Sequence, residues 1–447
     1  MILLYFWDRI LRMLKTFRLY TGDLLKIALP IIMGNLGFIM IGVGDVIVAG
    51  RHSTDTLAAI SLATAIINCI TIMGIGILCS ISPILSNYKG AGKDAEKYFY
   101  PSLKFTFVLS LLISLVIFSM IPFIDKFGFE PHLVPLVKDY FFVTAFSVFG
   151  AYLHCMSKEF LQAFEIVVFP NLVTIFCIFL NLVLNVIFAF GWGVIPEMGT
   201  KGLALASLIV RYFMGIVLFI YCYRKVAIKY HKDKSYYKEM LRVGLPSSLA
   251  IMIEFVAFNS ITVIMGRVSG VYAAAQNVIC TITSIAFMIP LAIGNATGVK
   301  VGFCNGAKQF RKLRNYAYTA LGLSAGVMAC SAIVVAIAPG VVTSLFTRDL
   351  ELIKVCVPII YTLCFFQVFD GLQAAFAGIF RGLKRTEVIM AGNFVAFWLI
   401  ALPLGCFLAL KCDLNLMGFW YALIVAAIVL CGFMYVNLLQ EFRKRNV

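Results

Sequence analysis

The sequence predicts an all-α polytopic membrane protein, with twelve transmembrane helices in two six-helix lobes that form a parallel internal repeat. Three observations carry this expectation. The 447-residue chain is 62% hydrophobic and 13% charged, with a mean hydropathy of +0.98, against about 25% charged residues in an ordinary soluble domain. Its apolar residues gather into stretches long enough to cross the hydrocarbon, which takes roughly 20 residues per helix. The second half of the chain also repeats the first at a constant offset, the one that sets Pro246 against Pro30.

In order, the apolar stretches lie near 24–50, 57–86, 100–124, 134–158, 168–190 and 200–223 in the first half. In the second half they lie near 240–266, 272–300, 316–340, 351–377, 388–410 and 416–438. Length makes each a helix, since a membrane barrel would show segments of about 10 residues with alternating polarity. Ahead of the first span, residues 1–20 mix Arg9, Arg12, Lys15 and Arg18 with Phe, Trp and Leu. That is the pattern of an amphipathic segment on a membrane surface rather than of a cleaved signal peptide. The first and seventh spans carry Pro30 and Pro246. Proline frees a backbone carbonyl and weakens a helix locally, so both are expected to act as hinges.

The offset aligns Leu25, Leu29 and Pro30 with Leu241, Leu245 and Pro246, and Gly50-Arg51 with Gly266-Arg267. It also aligns Ser53 and Ala58 with Ser269 and Ala274, and Gly90-Ala91 with Gly306-Ala307, without a gap. The polar run from Tyr223 to Glu239 separates the halves. The expected organisation is therefore an N-terminal lobe over 1–223, a linker over 224–239 and a C-terminal lobe over 240–447. Six spans per half start both repeats on the same side of the membrane, so the repeats are parallel. Duplicated bundles with a site at their interface are a common transporter plan.

The net charge is +16. With the termini and the even-to-odd loops on one side, that side holds 28 of the 37 lysines and arginines and the other holds 8. The remaining one, Arg211, lies inside the sixth span. The positive-inside rule then puts both termini in the cytoplasm of a cell inner (plasma) membrane, and it explains the basic balance without a nucleic-acid partner. The thirteen cysteines form no C-x-x-C and the four histidines are dispersed. A disulfide framework or zinc site is therefore not expected, and the thiols read as small buried hydrophobes. No clustered nucleophile or H-E-x-x-H motif marks an enzyme, and no cofactor is expected.

Only three acids sit inside the long apolar stretches with no other charged residue within five positions: Asp45, Glu254 and Asp370. An intramembrane carboxylate is expensive and marks a cavity, a partner or a transported ion. Glu254 lies about 20 Å along its helix, near the midplane. Asp370 sits among Phe365, Phe366 and Phe369, with Gln367 and Gln373 a turn away on either side. Two acids in one lobe can share a proton or a Na⁺ ion. Asp45 follows Gly42 and Gly44 and reads either as functional or as an interfacial hydrogen-bonding group. Asn181 and Asn185 are one turn apart on a single helix face; they either line a cavity near Asp45 or hydrogen-bond between helices. Arg211 reads as a counter-ion for an acid, or equally as a snorkelling or packing side chain.

At these residues the chain resembles the multidrug and toxic compound extrusion (MATE) family, over nearly its whole length. The first span is similar to the family pattern in Leu29-Pro30, Gly44-Asp45 and Ala49-Gly50-Arg51. So are Asn181 to Asn185 with Gly199, Gly202, Ala204 and Ala206. Gly244-Leu245-Pro246 with Glu254 resembles the NorM-like branch, as does Gln367-Val-Phe-Asp370 with Gly378, Arg381-Gly382 and Lys384. Where the branch often has tyrosine, this chain has Phe366, and the usual Ala-Ala-His-Gln stands as Ala273-Ala274-Ala275-Gln276.

The resemblance implies a monomeric antiporter in the lipid bilayer that exports organic cations or other amphiphiles in exchange for Na⁺ or H⁺. Glu254 and Asp370 would be the cation-coupling acids, and would ligate the metal if the ion is Na⁺. Asp45 would be the acid of the N-terminal lobe. Asn181, Asn185, Gln276, Phe366, Gln367 and Gln373 would line the substrate cavity. The competing expectation is a flippase of lipid-linked precursors, from a related superfamily. It calls for a strongly cationic cavity, whereas the intramembrane charges here are three acids and one arginine.

Overall fold

In the computed structural model of the chain, residues 2–193, 195–226, 231 and 233–446 are described, with side chains from Phe17 onward. Arg9, Arg12 and Lys15 of the expected amphipathic segment, and residues 227–230 and 232 of the 224–239 linker, lie outside the described residues or side chains. Among the described residues, twelve helices are long and apolar enough to cross a membrane. They are α1 (Ile2–His52, of which Phe17–His52 is the apolar span), α2 (Thr54–Gly90), α3 (Ala95–Phe127), α4 (Val134–Ala163), α5 (Val168–Phe190) and α6 (Gly199–Lys225). The second six are α7 (Lys234–Val268), α8 (Gly270–Gly306), α9 (Phe310–Ile337), α10 (Leu350–Gly382), α11 (Thr386–Leu410) and α12 (Asn415–Lys444). The fold is all-α. Several helices outrun the predicted spans: α8, with 37 residues, is about 55 Å long against a hydrocarbon core of about 30 Å.

Helix boundaries repeat with the sequence. Ser53 and Ser269 occupy equivalent positions in the two repeats. Each is extended at the N-cap and accepts a backbone N–H from the first turn, Thr56 for α2 and Val271 for α8. This satisfies one of the orphan donors of a helix start. α1 and α7 each carry their proline inside the helix. α7 begins after Asp233, whose Oδ1 accepts from the backbone N of Ser235 at 2.8 Å and from its hydroxyl at 2.6 Å. The Ser235 hydroxyl holds this carboxyl below its ordinary range.

By packing, the chain divides into two compact units. One comprises Pro30–Leu85 and Lys93–Ser248; the other comprises Met1–Leu29, Ser86–Gly92 and Leu249–Val447. The units therefore change over within α1 at Pro30 and within α7 just past Pro246, rather than at the 224–239 linker.

In the unit built mainly on the first half, α5 and α6 close around Val173, Cys177, Val210, Met214 and Leu218. α4 meets α6 where Gly150 abuts the Tyr212 backbone and Gly215 abuts the Gly150 carbonyl oxygen. In the unit built mainly on the second half, Tyr20 packs edge-on against Tyr316 at 4.6 Å, and the Tyr316 hydroxyl donates to Asp23 at 3.1 Å. The segment around Gly90 and the end of α8 cross in a contact that is its own image under the repeat. A Cβ on Gly90 would strike the Phe303 carbonyl oxygen, and a Cβ on Gly306 would strike that of Asn87. Asn87 and Phe303 are themselves equivalent in the repeat, as Gly90 and Gly306 are. Asn305 donates to Asn87 Oδ1 at 2.8 Å, and Asn87 donates to the Gly382 carbonyl at 2.8 Å.

α8 and α10 approach most closely along Gly294 and Gly298 on one helix and Ala374, Gly378 and Gly382 on the other. Small residues four apart on both helices let backbones meet, the usual device where lipid offers no hydrophobic drive between helices. A Cβ on Gly378 would meet the Gly294 backbone. Gly378→Ala is therefore expected to force α8 and α10 apart at a cost of about 1–3 kcal/mol. The effect would be read as a lower melting temperature of the purified protein; melting equal to wild type would contradict the close crossing.

Candidate functional site

The three intramembrane acids fall into two separate polar clusters, one in each compact unit. In the second-half unit, Glu254 projects from α7 and accepts two hydrogen bonds on Oε2. Gln373 Nε2 on α10 donates at 2.9 Å, and Asn393 Nδ2 on α11 donates at 3.3 Å. Asn393 also donates to the Ala250 carbonyl at 3.1 Å. The chain then winds as a π-helix over Phe394–Ala401, and Trp398 Nε1 donates to the Ile253 carbonyl at 3.2 Å. α11 is thus tied to α7 at Ala250, Ile253 and Glu254, through an irregular stretch of the kind that recurs at functional sites.

Asp370 lies on α10 one turn before Gln373, is 3% exposed, and interacts electrostatically with Glu254. Gln367, 0% exposed, has neither amide atom hydrogen-bonded, and Gln373 Oε1, Asn393 Oδ1 and Ser324 Oγ also lack partners. Buried polar groups are normally paired. This cluster therefore holds two carboxyls, neutral amides with spare oxygens, and no lysine or arginine paired to either acid among the described residues.

Two other expected site residues serve the wall of this interior. Gln276 accepts from Trp420 Nε1 at 3.0 Å and donates toward Cys280 Sγ at 3.3 Å. Phe366 stands edge-on to Trp420 at 5.6 Å and near Phe258 at 6.3 Å.

In the first-half unit, Asp45 of α1 accepts from Asn185 Nδ2 on α5 at 2.6 Å and from Ser207 Oγ on α6 at 3.2 Å. Asn185 also donates to Asn181 Oδ1 at 3.0 Å. Arg211, one turn beyond Ser207, donates from Nη1 to Ser147 Oγ on α4 at 2.7 Å. The structure thus joins Asp45, Asn181 and Asn185 and gives Asp45 side-chain hydrogen-bond partners on α5 and α6. Ser147, Ser207, Asn393 and Trp420 were missed in the sequence. Asn393 was the most legible of them, an amide in an otherwise apolar stretch. The serines carry no such signal, because serine in a membrane helix more often bonds its own backbone. Among the described residues no group of three or more His, Cys, Asp or Glu forms a metal-binding set. A transported Na⁺ would depend on amide and hydroxyl oxygens as well as carboxylates.

Comparison with known proteins agrees with this architecture. The MatE family model matches the chain twice, over residues 30–187 and 246–407. The two matches begin at Pro30 and Pro246, which are equivalent positions in the internal repeat. A protein of Xylella fastidiosa strain 9a5c named as probable multidrug resistance protein NorM is 28% identical over 427 residues, covering 92% of this chain and 90% of its own. A Bacillus subtilis protein of the same name is 24% identical over 414 residues, covering 90% and 91%. Among solved structures, a eukaryotic MATE transporter superposes with a TM-score of 0.85 at 20% identity, covering 96% of this chain and 99% of its own. A MOP superfamily transporter from Pyrococcus furiosus gives 0.88 at 18%, covering 96% and 97%. With its duplicated six-helix plan, its three acids set in apolar helices and two family matches spanning most of its length, this chain belongs to the MatE family of multi-pass membrane transporters.

Proposed function

We propose that this transporter is a monomeric secondary antiporter that exports cationic and amphiphilic drugs from the cytoplasm across a cell inner membrane in exchange for Na⁺ or H⁺. The names of its relatives point to multidrug efflux. The single observation that carries the coupling mechanism is the pairing of Glu254 and Asp370 in one helical unit with only neutral hydrogen-bond partners. Two uncompensated carboxyls cannot both stay ionised in a low-dielectric interior; a proton or a Na⁺ must supply the missing charge.

Cation entry from outside removes negative charge from this cluster and disfavours a bound cationic cargo. Loss of the cation to the cytoplasm restores it. Gln367, with Gln373 and Asn393, supplies oxygens for either ion. Asp45 with Asn181 and Asn185 contacts cargo, while Gln276 and Phe366 shape the greasy wall. The 28-to-8 split of basic residues supports cytoplasmic termini. The flippase alternative would rest on Arg211 alone as an intramembrane cation, and the two acids Glu254 and Asp370 in the second half weigh against it.

Glu254→Gln and Asp370→Asn should each insert normally and lose gradient-driven efflux by about tenfold or more, the scale of a typical coupling free energy. Asp45→Asn should weaken cargo binding more than ion coupling. Efflux of a cationic dye from cells with matched expression decides this. Full activity in both second-half variants would sink the mechanism, and loss only in Asp45→Asn would move coupling to the first-half unit.

Pro30 and Pro246 are proposed as the hinges, since the compact units change over at or within a few residues of each. Restoring the backbone hydrogen bond with Pro246→Ala should slow transport and shift cysteine cross-linking on the two membrane faces. Normal transport with unchanged cross-linking would remove that role.

A further inference from the structure

Arg211 sits twelve residues into α6, about 18 Å from the start of the helix, and so at mid-membrane depth. A guanidinium there is costly unless it faces an anion or water. Among the described residues its one hydrogen bond runs from Nη1 to the neutral hydroxyl of Ser147. Among the described residues no carboxylate lies within ion-pair distance of it; Asp45 acts on it only through space. The side chain is not fully buried, and a guanidinium carries five N–H donors in a fixed fork.

Asn181 belongs to the same cluster: it is 1% exposed, its Oδ1 accepts from Asn185, and its amide acts on Asp45. Ser207 and Arg211, one turn apart on α6, bring a carboxylate and a guanidinium into one cluster: Ser207 donates to Asp45, and Arg211 acts on it through space. The cluster is therefore bipolar, where the Glu254–Asp370 cluster carries acids alone.

We propose that Arg211 is a specificity-determining binding residue that takes the carboxylate of zwitterionic amphiphiles, while Asp45 faces their amine. This rests on the reading of the chain as an amphiphile exporter and narrows its cargo. The Arg211 fork suits a carboxylate bidentately. A cargo with a cation alone uses Asp45 and leaves Arg211 on Ser147.

The test uses two dyes that differ by one group: rhodamine 6G, a cationic ethyl ester, and rhodamine 19, its zwitterionic free acid. Binding to the purified full chain is followed by fluorescence anisotropy for wild type, Arg211→Gln and Arg211→Lys. Arg211→Gln should raise the Kd for rhodamine 19 by at least about tenfold, the scale of one lost charge-assisted pair. It should leave rhodamine 6G within about twofold, which also shows the variant to be folded. Arg211→Lys should recover part of the rhodamine 19 affinity. An equal loss for both dyes, or no loss for either, would overturn the assignment. Gradient-driven uptake of rhodamine 6G into wild-type proteoliposomes reads the antiport function separately. Its absence with the binding pattern intact faults the exporter reading, and intact uptake without dye discrimination by Arg211 faults this proposal.

Discussion

Carboxylates inside hydrocarbon govern the organisation of this protein. An ionised acid there needs a compensating charge or a dense set of donors. Asp45 has donors: Asn185 and Ser207 occupy its two oxygens, and Arg211 lies within electrostatic reach. Glu254 has two amide donors, both on the same oxygen, and Asp370 lies in the same interior without a basic side chain to offset it. The second-half cluster is short of positive charge, and the proposed ion coupling rests on that deficit. The helices, their close crossings and the π-stretch hold that deficit at a fixed place.

The two halves share a backbone plan but not a polar interior. Serine caps, helix prolines and the reciprocal glycine crossing all recur in register with the repeat. The acids do not recur in this way. Asp45 aligns with Ile261 and Glu254 aligns with Phe38. Packing of helices against one another tolerates duplication, because small residues and caps work the same way in either copy. Charge placement has diverged, leaving a bipolar cluster in one unit and an acidic cluster in the other. The proposed exchange of cargo against a cation rests on that difference between the units.

Much of the fold was legible in the sequence, because apolar length and lysine–arginine distribution are properties of composition along the chain. Helix ends were not. α2 continues to Gly90 through a break at Cys79 and Ser80, and α8 runs on to Gly306, since polar residues beyond the hydrocarbon can still be helical. The acids stood out as exceptions in apolar runs, and the Asn181–Asn185 spacing pointed to one face. Asn393 and Trp420 come to Glu254 and Gln276 from 139 and 144 residues away, and no local pattern encodes such a pairing. The changeover of the compact units at Pro30 and near Pro246, rather than at the linker, is likewise a tertiary outcome.

The central claim is that cation and cargo compete through the net charge of the Glu254–Asp370 cluster. The most direct measurement is the affinity of the purified protein for rhodamine 6G across a grid of Na⁺ concentrations and pH values. In wild type the affinity should fall as the coupling cation rises, and in the Glu254→Gln/Asp370→Asn double variant it should be flat. A wild-type affinity indifferent to both Na⁺ and pH would contradict the account.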